Sequence, residues 1–102
     1  MIGSVSRWLF KNPLEDKLLV FLDRATEFGL HEEDRANAID MLKHNELGCA
    51  FNIVVTQLFE YGIEIDSDFL RCAQEIGDEM KIDRREYAFL EKLLMKHAEQ
   101  TN

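Results

Sequence analysis

The sequence is poor in chain breakers, with one proline and five glycines in 102 residues, which excludes a linker-dominated or low-complexity chain. It is short of bases, twelve against twenty acids, and the formal charge of −8 repels nucleic-acid backbones and anionic lipid alike. Direct binding to nucleic acid or to a membrane surface is therefore not expected. Long apolar runs are missing: the longest, Leu18 to Leu22, falls far short of the ~20 residues a spanning helix needs. Nothing in residues 1–30 pairs a basic start with an apolar stretch and a small-residue cleavage site, so the expected location is the cytoplasm. Only two cysteines occur, Cys49 and Cys72; both fall in apolar helical patterns, and in a reducing compartment two buried free thiols are expected rather than a disulfide.

The chemistry of catalysis is equally sparse. His31-Glu32-Glu33-Asp34-Arg35 begins like a zinc-protease helix but has Arg35 where the second histidine would stand. Asp66-Ser67-Asp68 resembles the first ligands of a calcium loop, yet Arg71 fills the loop position that requires glycine. No Cys-x-x-Cys pair, glycine-rich phosphate loop or nucleophile elbow is present. The chain is not expected to be an enzyme, nor to hold a metal or a cofactor.

What is present is helical periodicity. Asn12-Pro13-Leu14-Glu15 is a helix start, with Asn12 as cap, and Leu14, Leu18, Phe21, Leu22, Ala25 and Phe28 recur at threes and fours up to Gly29. A second helix is predicted over Glu32–His44, with acids in its first turn and Lys43 and His44 in its last. The third, Glu46–Tyr61, is apolar nearly all round apart from the stripe Asn52, Thr56, Glu60, and so should be central. Asp66 can cap a fourth helix stapled by Ile65 and Leu70. Asp83 and Glu86 have capping-box spacing for a fifth, presenting Tyr87, Leu90, Leu93, Leu94 and His97.

The predicted fold is all-α. One domain over 1–102 forms a small bundle of about five amphipathic helices, packed as antiparallel hairpins through short links. Residues 1–11 form a short leading helix or an arm exposing Trp8, residues 12–99 the helical core, and residues 100–102 a frayed tail. A monomer is the expected state, with a homodimer through Trp8 or Phe10 as the alternative.

The charge is concentrated. Residues 31–80 hold twelve acids and three bases, a net −9, and a field of this kind favours and steers a basic partner. The order Phe28-Gly29-Leu30-His31-Glu32-Glu33-Asp34, then Leu42 through Ala50, then Leu58-Phe59-Glu60-Tyr61-Gly62-Ile63-Glu64-Ile65, then Tyr87, Phe89 and Leu90, resembles the MafI-type and related immunity proteins of bacterial contact-dependent inhibition systems. The resemblance spans about residues 14 to 97 and has two departures, Asn45 where glycine is usual and Glu64 where proline is usual. Asparagine tolerates the left-handed turn glycine would take. The resemblance implies a cytoplasmic inhibitor of one cognate toxin, the C-terminal nuclease domain of a large secreted protein, with an EndoU-like ribonuclease the leading class.

Toxin contacts are then expected on the link between the third and fourth helices: Glu60, Glu64, Asp66 and Asp68 as anions and Tyr61 as the aromatic anchor. The alternative surface is the start of the second helix, Glu32, Glu33 and Asp34. The competing function is a general acidic helical adaptor that binds a partner helix in an apolar groove.

Overall fold

The structure, a computed structural model, describes residues 13–95. Asn12, the leading segment 1–11, His97 and the tail 100–102 lie outside the described residues. Four α-helices follow one another, α1 Pro13–Phe28, α2 Glu32–Lys43, α3 Leu47–Glu60 and α4 Ser67–Glu79, and two short 3-10 turns, Arg84–Glu86 and Ala88–Leu93, complete an all-α bundle.

The helix boundaries follow from a shared terminal device. After each helix the backbone steps into the left-handed region, at Gly29 (φ 128°), Asn45 (φ 60°), Gly62 (φ 61°) and Lys81 (φ 59°). The next N–H then reaches back five residues to a free carbonyl: Leu30 to Ala25 at 3.0 Å, Glu46 to Met41 at 2.8 Å, Ile63 to Leu58 at 3.0 Å and Ile82 to Gly77 at 2.9 Å. This is the Schellman closure, which satisfies carbonyls that a helix end otherwise leaves unpaired. Asn45, one of the residues that tolerate this conformation, makes the turn after α2. At the start of α4, Asp66 accepts the Phe69 N–H at 2.8 Å, the expected cap.

Cross-helix pairs fix the directions. Lys17 meets Glu79 at 2.7 Å and Arg24 meets Asp66 at 3.7 Å, so α1 and α4 run antiparallel. Arg35 meets Asp23 at 2.9 Å, which sets α2 against α1 in the same sense. Helix α3 packs on α1, α2 and the second 3-10 turn, and its buried residues Ala50, Phe51, Val54, Val55 and Leu58 place it at the centre. Aromatic rings tie the layers: Phe21 stacks on Phe69 with centroids 4.7 Å apart and on Phe51 at 5.5 Å, and Tyr87 meets Phe51 edge-on at 5.7 Å. Burying side chains of this size gives about 1.5–3 kcal/mol each, the main favourable term in a domain this small.

Two expectations are corrected. The fifth helix is not α-helical; it is two 3-10 turns broken at Tyr87 (φ −142°, ψ 1°). Its buried residues Tyr87, Leu90 and Leu93 repeat at strict threes, which matches three residues per turn and not 3.6. Asp83 forms no capping box with Glu86; its carboxylate accepts the Arg85 N–H at 2.9 Å and grips the Arg85 guanidinium, which holds the Asp83 carboxyl below its ordinary range. After Leu93 the chain is extended and pairs with the α3–α4 link: the Ile65 N–H donates to the Leu93 carbonyl at 2.9 Å and the Met95 N–H to the Ile65 carbonyl at 3.0 Å. The second correction concerns the thiols. Both cysteines are free as expected, but Cys49 is exposed and Cys72, packed at the edge of the core, is only half-buried.

Candidate functional site

Antiparallel packing brings the C-terminal ends of α1 and α3 and the N-terminal ends of α2 and α4 to one end of the bundle. The two acidic stretches that the sequence offers as alternatives therefore share that end. Two contacts join them. The His31 ring lies against Tyr61 with centroids 4.0 Å apart, and the Gln57 side chain donates to Asp34 at 3.0 Å.

The candidate residues divide by what holds them. Glu32, Glu33, Glu60 and Glu64 are exposed, and among the described residues no base pairs with them. Tyr61 is 53% exposed beside them. Asp34 is buried and occupied by Gln57, so it ties α2 to α3. Asp66 is half-buried and shared between the α4 cap and Arg24. Asp68 is exposed and pairs with Arg71 one turn on. All three arginines at this end, Arg24, Arg35 and Arg71, are engaged by acids of the same chain, and no lysine occurs between Lys17 and Lys43 or between Lys43 and Lys81.

Helix electrostatics accounts for only some of these acids. Glu32, Glu33 and Asp34 open α2 and Asp66 and Asp68 open α4, where the positive end of the dipole favours them. Glu27 and Glu60 stand at the opposite pole, in the last turns of α1 and α3, and neither turn contains a base. A carboxylate there opposes the dipole, at a cost of about 0.3–1 kcal/mol each. Neither has an ion-pair partner among the described residues, and together they add two negative charges to the same end.

Three features were missed by sequence reasoning: Glu27, the His31–Tyr61 contact, and the packing of Phe59, 42% exposed, on Phe89 at 4.9 Å. Glu27 carried a readable signal, an acid in a last helical turn. The two ring contacts join residues 30 apart in the chain, and no periodicity announces them. Among the described residues no three His, Cys, Asp or Glu side chains converge as a metal ion would need, and no helix is long and apolar enough to cross a membrane. What the end offers is a carboxylate-rich surface with exposed aromatic rings, suited to recognising a cationic surface by charge and by stacking.

Compared with protein-family models, with curated proteins and with solved structures, the chain shows no match. The likeness to MafI-type immunity proteins thus rests on the order of its residues alone.

Proposed function

We propose that this protein is a non-catalytic inhibitor of the immunity type, acting in the cytoplasm as a monomer, which binds a basic toxin domain through the end of the bundle carrying Glu32, Glu33, Glu60, Tyr61 and Glu64. The observation that supports this most is the unpaired state of those four glutamates beside an exposed tyrosine, while every arginine nearby is already engaged. The natural target is a nuclease, and an EndoU-like ribonuclease is the class the resemblance favours. A nuclease must hold a polyanion in a cationic groove, and an acidic surface of rigid geometry competes for that groove while steering its own encounter. Asp34 acts from beneath by fixing α2 against α3, and Asp66 and Asp68, paired with Arg24 and Arg71, keep those two bases from offsetting the four free glutamates.

The test is titration of this protein, by stopped-flow and calorimetry, with the C-terminal domain of the large secreted protein that this reading expects in the neighbouring gene. The triple variant Glu32→Gln, Glu60→Gln, Glu64→Gln should associate about tenfold more slowly at low salt and show a flatter dependence on ionic strength. Binding of wild type and triple variant at the same rate at every salt concentration would reject the acidic-end mechanism and favour an adaptor that seats a partner helix on apolar surface.

A further inference from the structure

The two 3-10 turns are held to the molecule differently from the helices they cross. An α-helix closes its backbone hydrogen bonds within itself, whereas the 3-10 path has poorer hydrogen-bond geometry and is used in short pieces. From Arg84 to Met95, two backbone hydrogen bonds reach the rest of the described chain, and both end on Ile65. Side chains do the remaining pinning. Tyr87 meets Phe51 and donates to Asp78, Leu90 and Leu93 are buried, and Phe89 lies on Phe59. Glu86, Ala88, Glu91 and Lys92 between them are exposed.

Ile65 depends on this segment. It is fully buried, its N–H donates to the Leu93 carbonyl and its carbonyl accepts the Met95 N–H, and among the described residues neither group has another partner. Withdrawing residues 84–95 would orphan both groups, and an unpaired buried backbone group costs more than a hydrogen bond contributes net. The link between α3 and α4 therefore cannot keep its shape without the segment. The helices have no such dependence, because α1 packs on α2, α3 and α4 directly. We propose that the α3–α4 link and residues 84–95 form one opening unit, which detaches from the four helices together and at a lower free energy than global unfolding. Glu64 and Asp66 stand on either side of Ile65, so the same opening releases the backbone that positions both. Residues 84–95 are then a strap whose closure sets the shape of the acidic end, and this holds whether or not that end binds a toxin.

Native-state amide exchange of the full chain, followed residue by residue by NMR in sub-denaturing urea, tests the unit. The N–H groups of Ile65, Leu90 and Met95 should share one opening free energy and one shallow urea slope. After correction for intrinsic rates they should exchange about tenfold faster than those of Val54 and Val55 at the centre of α3. Phe59→Ala, at a 42% exposed position that meets the strap through Phe89, should speed Ile65 and Met95 together, about fivefold. Ala38→Gly weakens the bundle instead: Val54 and Val55 should exchange about fivefold faster while Ile65 and Met95 keep their wild-type rates. Exchange of Ile65 and Met95 at the rate and slope of Val54 and Val55 overturns the proposal, because the strap is then inseparable from the bundle. So does a fast Met95 beside an Ile65 that exchanges with the bundle, which is fraying of an end. Acceleration of Ile65 as large as that of Val55 in Ala38→Gly overturns it as well.

Discussion

Gly77 shows how closely α4 and the last turn of chain approach each other. A Cβ at this position would stand 2.5 Å from two carbons of the Tyr87 ring and 2.9 Å from its hydroxyl oxygen. The ring has nowhere to move: it is 2% exposed, meets Phe51 edge-on, and donates its hydroxyl to Asp78 at 3.0 Å. In an open helix, alanine for glycine gains about 1 kcal/mol of propensity; here overpacking costs more. Gly77→Ala should lower the unfolding free energy by about 1–2 kcal/mol net, read from the urea midpoint at constant slope.

Tyr87 also makes stability depend on alkaline pH. Burial, then the hydrogen bond to Asp78, raises its phenol above the ordinary value of about 10. The folded state therefore favours the protonated form more than the unfolded chain does. That contribution is complete below about pH 10 and is lost as pH climbs through the raised folded value. Tyr87→Phe should be less stable at neutral pH, lacking the Asp78 bond, yet lose less on going from pH 9 to pH 12 than the wild type does, as followed by urea titrations at each pH. None of this is visible in the sequence, which offers Tyr87 only as an apolar position. In the same way, Asp34 reads as one of three surface acids in a first helical turn, and only the fold shows it buried against Gln57.

At the level of elements, α1 to α3 were legible because apolar spacing agreed with a turn residue after each last turn, Gly29, Asn45 or Gly62, and α4 because its apolar face agreed with the Asp66 cap. Predicted and observed bounds differ by a residue or so at each end. The turn after α4 lacked such a signal, because the left-handed position is filled by Lys81, a residue that seldom adopts it. Lys81 pays a conformational cost that glycine does not, so Lys81→Gly should stabilise the protein by about 1 kcal/mol, measured by thermal or urea unfolding. The last helical segment misled for a different reason. Its capping residues and apolar positions suit an α-helix locally, but tertiary contacts of Tyr87, Leu90 and Leu93 select the tighter 3-10 path. The strict period of three was in the sequence and would have been the cue.

For the molecule as a whole, charge is the property that composition fixed and geometry distributed. Composition gave the net −8, and the antiparallel order of the helices gathered two acidic stretches, separate in sequence, at one pole. A sequence alone could not tell whether the stretches were rival surfaces or neighbours. Like charges crowded on one pole repel at distances comparable to the Debye length, about 10 Å at 0.1 M salt. The exposed ion pairs elsewhere contribute little by comparison. Adding salt from about 0.02 to 0.3 M should therefore raise the urea midpoint, whereas a fold dependent on its surface pairs would weaken.

The pairing of Ile65 with the stretch after Leu93 extends this point into the order of biosynthesis. Glu64 and Asp66 flank the residue that this clasp holds, so the loop bearing them is fastened by backbone that is synthesised well after it. A nascent chain stalled near residue 90 would have its four helices without that fastening. Its acidic loop would take final shape only once Leu93 and Met95 had joined the fold.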